Sequence, residues 1–386
     1  TGHAVRDDLD GATAELDAND ISVIQWTSGT EAEPKACPIS HNNWGFARFI
    51  YSTEYKGGVL DDGCVLMNPA PLVNMTCIGV GLVPWIIVSG TFVLHHPFEP
   101  LLFMRQLIEE GVNFTLAVPA MAVGILKHPA VDAFDLGKLK FLAQGSAPPP
   151  AWTFLEVKRR WGTESINIWG QNEGTGLFSL PEVIPDLEMR ASGFPRGWRG
   201  VEWDIPVMQA VEVKIVDEGG NELTNPDDVG ELCYRAPLTM AGYFNQPELT
   251  ERAFDEEGFF HTGDLFRILD DRTIAFFDRK KDMIISGGYN VYPRDIDEVY
   301  YGNPKVQEAC SIGIPDAKRG ENVKLFIVLK EGQTATAEEM IEYGKAHLAT
   351  YKLPTEVEFR KELRKSTVGK VLRKELRAEE LKKRKG

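Results

Sequence analysis

The chain has 386 residues, of which 43% are hydrophobic and 26% are charged, and this composition is ordinary for a globular protein of two or more domains. Its net charge of −15 argues against general nucleic-acid binding. Five scattered cysteines argue against a disulfide scaffold or a zinc site and suit a reducing compartment, and no apolar run is long enough to predict a membrane span.

A strand followed by a hydroxyl-rich loop is the first informative pattern. Residues 22–26 are predicted to form a short buried strand, and the loop runs from Thr27 to Lys35. Hydroxyls and backbone N–H groups donate hydrogen bonds to phosphate, and a lysine adds positive charge. The loop lacks the Gly-Lys-Ser/Thr ending of the nucleotide-binding P-loop, so by itself it is more typical of a surface turn.

Strand and helix patterns then alternate, which predicts a layered α/β sheet. Ser40 is expected to cap a helix. Strands are predicted at 64–67, Thr91–Leu94, 113–118, 138–143 and 165–169, with helices at 100–110 and up to 126 between them. Antiparallel strands are predicted at 211–216 and 230–235, whereas residues 181–208 are predicted to be irregular.

Two polar turns follow predicted strands of this sheet. They contain Gly145, Ser146 and Ala147 after one strand, and Trp169, Gly170, Gln171, Asn172 and Glu173 at the end of the next. Ordinary strand-to-helix turns use the same residue types, and a lone glutamate after a strand is usually solvated. A carboxylate such as Glu173 nevertheless suits Mg²⁺, a hard ion that bridges nucleotide phosphates.

Residues 261–293 combine a Gly-Asp turn, a charged joint and a second glycine turn. Asp264 follows a glycine, where its carboxylate can accept hydrogen bonds from a diol. The charge cluster at 278–282 lies between two apolar, strand-like runs. The second turn contains Ser286, Gly287 and Gly288, with open backbone N–H groups. An ordinary hairpin with a polar loop explains this composition equally well.

Residues 283–386 are predicted to form a small α+β domain with a basic end. From residue 361 onward, eleven Lys and Arg face four Glu. Such a segment could attract an anionic ligand, but residues 382–385 are expected to be a frayed, solvated tail. Lys370 follows a glycine in a predicted exposed turn, where a lysine is usually solvated.

Taken in order, these motifs resemble those of the adenylate-forming enzymes, the superfamily of acyl-CoA synthetases, peptide-synthetase adenylation domains and firefly luciferase. The resemblance runs from residue 21 to residue 376. It implies an α/β fold with a large layered adenylation domain, containing some antiparallel β, at 1–278, a hinge at 279–282 and a small mobile α+β domain at 283–386. It also implies that a domain-sized stretch of the family fold, before the phosphate loop, is missing from this sequence.

The resemblance implies a phosphate-binding role for the first loop. The residues that match are Thr27, Ser28, Gly29, Thr30 and Lys35. Three others depart from the family pattern, because Glu31, Ala32 and Ala36 replace Thr, Gly and Gly. A carboxylate beside a triphosphate is repulsive unless a cation intervenes.

The turns after the strands are implied to bind the nucleotide and the acid. Gly145, Ser146 and Ala147 would line the adenine and acyl sites, as would Gly170 and Gln171 in the second turn. Trp169 would stack on adenine, Asn172 would donate to phosphate, and Glu173 would hold Mg²⁺. The acyl pocket would include Val73, Asn74 and Leu177, all uncharged, which predicts an apolar alicyclic, aromatic or medium-chain acid.

The remaining motifs are implied to act on ribose, on domain rotation and on CoA. Asp264 and Arg279 would hold the ribose of ATP, and Lys281 would be the hinge. Lys370 would be catalytic. After rotation, the turn formed by Ser286, Gly287 and Gly288 would be presented to CoA.

The resulting hypothesis is an AMP-forming carboxylate–CoA ligase of fatty acid or lipid metabolism, which uses ATP, Mg²⁺ and CoA. The alternatives are adenylation for a carrier-protein thiol, and a non-catalytic nucleotide-binding relative. The predicted partners are a small carboxylic acid, ATP and CoA, without nucleic acid, and a homodimer is one option. With no signal peptide in the sequence, a cytoplasmic location is expected.

Overall fold

A computed structural model describes residues 13, 15–27, 34–174, 176–197, 200–365 and 371–385. The chain divides into two compact units. The first comprises Thr1–Asp228, Leu232–Thr262 and Ile268–Ala275, and the second comprises Val229–Glu231, Gly263–Arg267 and Phe276–Gly386. The predicted α/β fold class is confirmed, with a large unit that is mixed α/β and a small unit that is α+β.

The first unit contains a six-stranded sheet of order β4-β3-β5-β6-β7-β8. The strands up to this point of the chain are β1 (Ile21–Trp26), β2 (Ala36–Ser40), β3 (Val65–Asn68), β4 (Thr91–Leu94), β5 (Phe114–Leu116), β6 (Phe141–Gly145), β7 (Glu164–Gly170) and β8 (Gly176–Ser179). Neighbouring strands from β4 to β7 are parallel, and β8 pairs antiparallel with β7. The predicted alternation therefore gives a parallel sheet, because helices connect its strands.

The helices of the first unit are short. They are α1 (His41–Phe46), α2 (Arg48–Tyr51), α3 (Met75–Cys77), α4 (Val83–Ile87), α5 (Pro100–Glu109), α6 (Pro119–Leu126), α7 (Ala151–Trp161), α8 (Leu187–Ser192), α9 (Pro206–Gln209) and α10 (Pro247–Ala253), with a π-helical turn at Ile78–Leu82 and a 3₁₀ turn at Val131–Ala133. Ser40 caps α1, since its hydroxyl accepts the N–H of Asn43 while the Asn43 side chain accepts the N–H of Ser40. The predicted cap is thus confirmed.

One core cluster packs the helices onto this sheet. Phe103 and Val157 from α5 and α7 are fully buried, and they belong to the same cluster as Leu142 from β6. Burying a side chain of this size stabilises a fold by about 1.5–3 kcal/mol relative to its exposure. Packing against the helices therefore stabilises the sheet, and the polar turns lie at the carboxyl ends of its strands.

Two sequence predictions for the first unit are wrong. The strand predicted at 22–26 is not buried, because β1 and β2 form a two-stranded antiparallel ribbon in which Trp26 is 63% exposed. The region 181–208 is only partly irregular, since it contains α8, a short strand β9 (Gly193–Pro195) and the start of α9. Arg190 of α8 is buried and donates to Glu164 and to the carbonyl of Ile184 at 2.7 Å each, which fixes the segment.

Strands of the first unit also form an antiparallel-rich sheet of order β11-β10-β12-β13-β14-β9. Its further strands are β10 (Glu212–Val216), β11 (Glu222–Leu223), β12 (Val229–Arg235), β13 (Phe260–Ile268) and β14 (Thr273–Arg279). β10 pairs with β11, and Thr273–Ala275 pairs with β9. Each of the last three strands contains residues assigned to both units.

The second unit is built on a sheet of order β16-β15-β18-β17, with β19 parallel to β18. Its elements are β15 (Ile284–Ser286), β16 (Tyr289–Val291), α11 (Pro293–Tyr301), β17 (Val306–Asp316), β18 (Gly320–Leu329), α12 (Ala337–Lys345), β19 (Glu356–Arg360) and α13 (Arg373–Lys385), with 3₁₀ turns at Lys280–Asp282 and Thr350–Lys352. Alternate residues of β18 serve two cores: Leu325 and Ile327 pack with α11 and α12, whereas Phe326 packs with Leu376 of α13.

The predicted frayed tail is also wrong, because α13 runs to Lys385. Lys383 lies 2.9 Å from Glu380 and 3.1 Å from Glu379, at helical spacing. The buried ammonium of Lys324 lies 2.7 Å from Glu380, which ties the helix to the sheet. Charge pairing, which composition alone did not reveal, orders this basic end.

Among the residues that the structure describes, no helix is both long and apolar enough to cross a lipid bilayer.

Candidate active site

Hydrogen bonds between its first and last residues, Thr27 and Lys35, close the hydroxyl-rich loop. The N–H of Thr27 donates to the Lys35 carbonyl at 2.9 Å, and the N–H of Lys35 donates to the Thr27 hydroxyl at 3.1 Å. These bonds extend the ribbon in which Trp26 pairs with Ala36. The other predicted phosphate contacts, and two of the departures from the family pattern, lie outside the described residues: Ser28, Gly29, Thr30, Glu31 and Ala32.

Lys35 and Glu173 contact the same aromatic side chain. The Lys35 ammonium lies over the ring of Tyr243, 5.0 Å from its centroid, and the Tyr243 hydroxyl donates to Oε1 of Glu173 at 3.0 Å. Burial raises the pKa of Tyr243 far above its usual range, and the Glu173 charge adds to the effect, so the hydroxyl stays a donor. Two predicted site residues, 138 positions apart, are thus brought together by Tyr243, which was not predicted as a site residue.

The turn after β7 is joined to the same loop. The Asn172 amide donates to the Trp26 carbonyl at 3.0 Å, and the Gln171 amide donates to the Thr262 carbonyl at 2.9 Å. Gly174 follows with φ of +84°, and a Cβ there would lie 2.0 Å from the Leu238 carbonyl oxygen, so only glycine fits. The backbone after Glu173 is therefore fixed by packing.

Trp169 and Gly170 end β7 in different environments. Trp169 is 8% exposed, and its ring lies 6.4 Å from that of Tyr234, so little of its face is open. Gly170 is exposed. Stacking of Trp169 on adenine stays a prediction.

The turn after β6 lies beside β7. Gly145 pairs with Ile168, and a Cβ at Gly145 would lie 2.6 Å from the Ile168 carbonyl oxygen. Ser146 then takes φ of +66°, a left-handed conformation that is uncommon for a non-glycine residue, and Ser146 and Ala147 are half-buried. This strained turn at the carboxyl edge of a parallel sheet occupies the place where such sheets bind ligands.

Asp264 and Arg279 are neighbours within the second unit. Asp264 is 7% exposed, and its Oδ1 lies 3.9 Å from Nε of Arg279. Asp264 lies within β13 and not in a turn as predicted; Gly263, with φ of +70°, distorts the strand just before it. A buried carboxylate beside a guanidinium is an arrangement that can hold a diol.

Glu231 supports both of these residues and was missed in the sequence. Its Oε1 accepts the N–H of Gly263 at 3.0 Å, and its Oε2 lies 2.8 Å from the ammonium of Lys280. It therefore fixes the backbone before Asp264 and the side chain after Arg279. No local signal identifies such a contact, because the three positions are separated by 32 and 49 residues.

The strand before the predicted hinge is fixed to helix α11. The buried carboxylate of Asp278 accepts the N–H of Arg279 at 2.7 Å and the N–H of Arg294 at 3.0 Å. Arg294 in turn donates to the Phe276 carbonyl at 2.8 Å. Burial raises the pKa of Asp278, while the Arg294 N–H opposes that shift.

The predicted hinge residue, Lys281, lies in the 3₁₀ turn Lys280–Asp282. Its carbonyl accepts a hydrogen bond from Arg377 of α13 at 3.4 Å. The hinge role itself stays a prediction.

The second glycine turn is a tight hairpin between β15 and β16. Ser286 pairs with Tyr289, and Gly287 and Gly288 take φ of +60° and +82°, as a type I′ turn requires. The N–H of Gly287 donates to the Arg319 carbonyl at 2.8 Å, so the prediction of open N–H groups is wrong at this residue. Ser286 is buried.

Lys370 lies outside the described residues, and the residues that flank its segment pair with each other. Lys365 and Val371 form an antiparallel bridge, and the N–H of Leu372 donates to the Arg364 carbonyl at 2.9 Å. The Lys365 ammonium lies 2.7 Å from Glu308. The segment that carries Lys370 therefore starts and ends at one point of the second unit.

The three predicted acyl-pocket residues occupy different environments. Val73 is 83% exposed, whereas Leu177 is 1% exposed and lines a small apolar cavity with Ile50 and Met208. The carbonyl of the Asn74 side chain accepts the N–H of Thr76 at 2.8 Å and so caps α3. The Asn74 amide thus serves as a helix cap. The acyl pocket stays a prediction.

The donor set around Glu173 fits one Mg²⁺ that is bound mainly through phosphate. A single carboxylate oriented by a tyrosine hydroxyl is typical of an ion that keeps its waters and takes other ligands from nucleotide phosphates. Among the described residues, the one group of three acidic side chains within metal-binding reach is Glu358, Glu379 and Glu380. Lys324 and Lys383 already neutralise that group, which therefore needs no metal.

Comparisons with known proteins give a consistent result. The family model described as AMP-binding enzyme matches residues 2–244, and the one described as AMP-binding enzyme C-terminal domain matches residues 295–370. The chain is 33% identical over 375 residues to a long-chain-fatty-acid–CoA ligase of Bacillus subtilis (strain 168), covering 94% of this chain and 62% of the ligase. It is 30% identical over 362 residues to a feruloyl-CoA synthase of Amycolatopsis sp, covering 93% of this chain and 70% of the synthase.

Solved structures share the fold. ATP-bound MatB from Rhodopseudomonas palustris superimposes with a TM-score of 0.81 at 26% identity, covering 95% of this chain and 69% of MatB. The amide bond synthetase McbA from Marinactinospora thermotolerans gives 0.76 at 26% identity, covering 93% and 69%.

Proposed function

This chain belongs to the family of AMP-binding enzymes, and on that basis we propose that it activates a carboxylic acid with ATP and transfers the acyl group to CoA. The observation that carries the proposal is the contact of Lys35 and Glu173 with one side chain, Tyr243. It supports a site in which the lysine that closes the phosphate loop and a metal-binding carboxylate act on the same phosphates.

In the first step, an oxygen of the substrate carboxylate attacks the α-phosphorus of ATP. The bond from that phosphorus to the bridging oxygen breaks, and pyrophosphate leaves with the electron pair. Such a transfer needs positioning and charge neutralisation more than covalent help from the protein. Lys35 and Lys370 would supply positive charge, and Mg²⁺ held by Glu173 would neutralise phosphate oxygens.

Asp264 and Arg279 would hold the ribose in this step. A carboxylate accepts both hydroxyls of a vicinal diol, and a guanidinium donates to their oxygens. Glu231 supports this role, because it fixes the backbone before Asp264 and the residue after Arg279. Trp169, Gly170 and the turn at Gly145 would lie against the base.

In the second step, the thiol sulfur of CoA attacks the acyl carbon of the adenylate. The bond from the acyl carbon to the phosphate oxygen breaks, AMP leaves, and the thiol proton passes to solvent. Rotation at Lys281 would withdraw Lys370 and present the turn at Gly288 to CoA. The relatives named for CoA products favour CoA over a carrier-protein thiol as the acceptor.

The acid is proposed to be apolar. The acyl-pocket residues Val73, Asn74 and Leu177 carry no charge, and two relatives are named for a long-chain fatty acid and for ferulate. An uncharged pocket cannot neutralise a second carboxylate or an ammonium group on the substrate. Dicarboxylates and amino acids should therefore be poor substrates.

The test is pyrophosphate release from ATP and Mg²⁺ with aliphatic, aromatic, dicarboxylic and amino acids, each with and without CoA. We expect release to require an apolar acid, and AMP turnover to require CoA. Glu173→Gln and a reaction without acid are the controls. ATP binding without pyrophosphate release for any acid would instead support a nucleotide-binding protein, and turnover only with a phosphopantetheine-loaded carrier would reassign the acceptor.

A further inference from the structure

Tyr243 is placed to act on two predicted site residues at once. Its ring carries the Lys35 ammonium 5.0 Å from the centroid, and its hydroxyl donates to Glu173 at 3.0 Å. A tyrosine that serves only the core needs neither a carboxylate at its hydroxyl nor an ammonium over its ring. These contacts therefore go beyond packing.

The position of Tyr243 is itself fixed by its surroundings. The side chain is 6% exposed and packs in a core cluster with Cys37, Ile39 and Met240. Its N–H donates to the Thr250 hydroxyl at 2.9 Å. The phenol oxygen is thus held at a fixed point, and it can impose a rotamer on the carboxylate that it contacts.

Contacts fix the backbone around Glu173, so only its side chain can change orientation. The carbonyl of Glu173 accepts the N–H of Met240 at 2.9 Å, and Gly174 is locked by its contact with Leu238. Only the side-chain torsions of Glu173 can then redirect its oxygens. The hydrogen bond from the fixed Tyr243 hydroxyl to Oε1 favours one of these orientations.

Resting on the function proposed above, we infer that Tyr243 is a positioning residue that couples the metal carboxylate Glu173 to the phosphate lysine Lys35. The hydroxyl fixes Oε1 of Glu173 and with it the orientation of the carboxylate that would hold Mg²⁺. The ring holds the Lys35 ammonium. One side chain thereby positions both groups that would act on the phosphates.

Tyr243→Phe separates the two contacts, because it keeps the ring and removes the hydroxyl. We expect the Mg²⁺ concentration for half-maximal pyrophosphate release to rise about 10-fold or more, as when other partners of metal ligands are removed. Saturating Mg²⁺ should restore most of the rate. By calorimetry, ATP with EDTA should bind as it does to the parent protein, whereas ATP with Mg²⁺ should bind more weakly.

Tyr243→Leu removes the ring as well, and this variant alone should weaken ATP binding in EDTA. Tyr51→Phe is the matched control, because the Tyr51 hydroxyl is also buried and donates to a backbone carbonyl, that of Gly79, at 2.9 Å. It should leave the Mg²⁺ requirement unchanged. In a Glu173→Gln background, Tyr243→Phe should add no further change in Mg²⁺ dependence.

The inference is overturned if Tyr243→Phe needs no more Mg²⁺ than the parent, or if it weakens ATP binding equally with and without the metal. If Tyr243→Phe does not fold, Thr250→Val, which releases the Tyr243 backbone, must show the raised Mg²⁺ requirement instead. If the parent releases no pyrophosphate with any acid, the proposed function fails. The calorimetric comparison still decides the role of Tyr243 in that case.

Discussion

At the scale of single residues, Asp264 offers the sharpest test of nucleotide binding. Asp264→Asn keeps the shape of the side chain but removes the charge beside Arg279, 3.9 Å away. Hydrogen bonds to charged groups contribute about 1.5–3 kcal/mol, so we expect the KM for ATP to rise about 10- to 100-fold. Steady-state pyrophosphate release measures this change.

Asp271→Asn is the matched control for Asp264→Asn. Asp271 is an exposed carboxylate in the bend between β13 and β14, and its loss should leave the KM for ATP unchanged. An equal KM for ATP in the Asp264→Asn protein and the parent would remove Asp264 from the nucleotide site.

Lys370 is expected to act only in the first step. Lys370→Ala should slow pyrophosphate release by on the order of 100-fold, because a charge positioned on the transition state is lost. Thioester formation from a synthetic acyl-adenylate and CoA should be retained. Lys361→Ala removes an exposed lysine of the same basic segment and is the control. Equal loss of both half-reactions would contradict a role confined to adenylation.

Single residues also show how far sequence reasoning reaches. The proposed roles of Asp264, Arg279 and Glu173 could be predicted because each lies in a short motif. The roles of Glu231 and Tyr243 could not, because their contacts join positions 32 to 208 residues apart. Packing and strand register decide which distant side chains are in contact. A local sequence pattern predicts neither of them.

At the scale of elements, a buried carboxylate joins α11, β17 and α13. Asp297 accepts the N–H and the hydroxyl of Ser311 at 2.6 and 2.7 Å, and it pairs with Arg373 at the start of α13. Burial raises the pKa of Asp297 to about 6, although Arg373 and Ser311 oppose the shift. The helix α13, which follows the Lys370 segment, thus shares one titrating group with α11 and β17.

The sign of the resulting pH dependence follows from linkage. An aspartate in an unfolded chain has a pKa of about 4, so between about pH 4 and 6 the folded state binds the Asp297 proton more tightly. The contribution of Asp297 to the free energy of unfolding therefore falls as pH rises through this window. Relative to that of the parent, the free energy of unfolding of Asp297→Asn should rise by up to about 3 kcal/mol between pH 4 and pH 7.

Urea unfolding of both proteins across this pH range measures the difference. Asp316→Asn is a control of opposite sign, because backbone N–H groups of Arg319 and Lys318 lower the pKa of that carboxyl. Relative to the parent, Asp316→Asn should lose stability as pH rises. A pH-independent difference for Asp297→Asn would show that this group titrates alike in the folded and unfolded chain.

Elements were predicted best where periodicity and burial agree. The parallel strands β4 to β7 were recognised because apolar strands alternate with helices. The strand β1 was misjudged, since its Ile21 and Trp26 lie on the surface although Cys37 and Ile39 of β2 are buried. The end of α13 was misjudged because ion pairs, not apolar periodicity, order it. Charge networks and ribbons depend on distant partners, so a single pass along the chain does not reveal them.

At the scale of the whole molecule, the proposed rotation at Lys281 can be tested separately from the two chemical half-reactions. The Met283 N–H donates to the Lys280 carbonyl, so Lys281 occupies the second position of a turn, where proline is favoured. Lys281→Pro should keep this turn and block its rearrangement. One half-reaction should then be retained while the other falls on the order of 100-fold.

Pyrophosphate release and thioester formation from a synthetic acyl-adenylate measure the two half-reactions separately. Lys281→Ala removes the side chain without fixing the backbone. It should not affect one half-reaction more than the other. If Lys281→Pro changes both half-reactions by the same factor, rotation at this residue is not part of the cycle.

The burial of all five cysteines has a practical consequence for the assay itself. Burial raises the pKa of Cys64 and Cys77 to about 11, and raises those of Cys37 and Cys310 as well. At pH 8, a thiol with a pKa of 11 is ionised on the order of one part in a thousand, and the thiolate is the form that attacks disulfide dyes. A colorimetric disulfide reagent should therefore titrate free CoA beside the native protein with little background. A single surface cysteine introduced by mutation would become a selective attachment point for a fluorescent reporter.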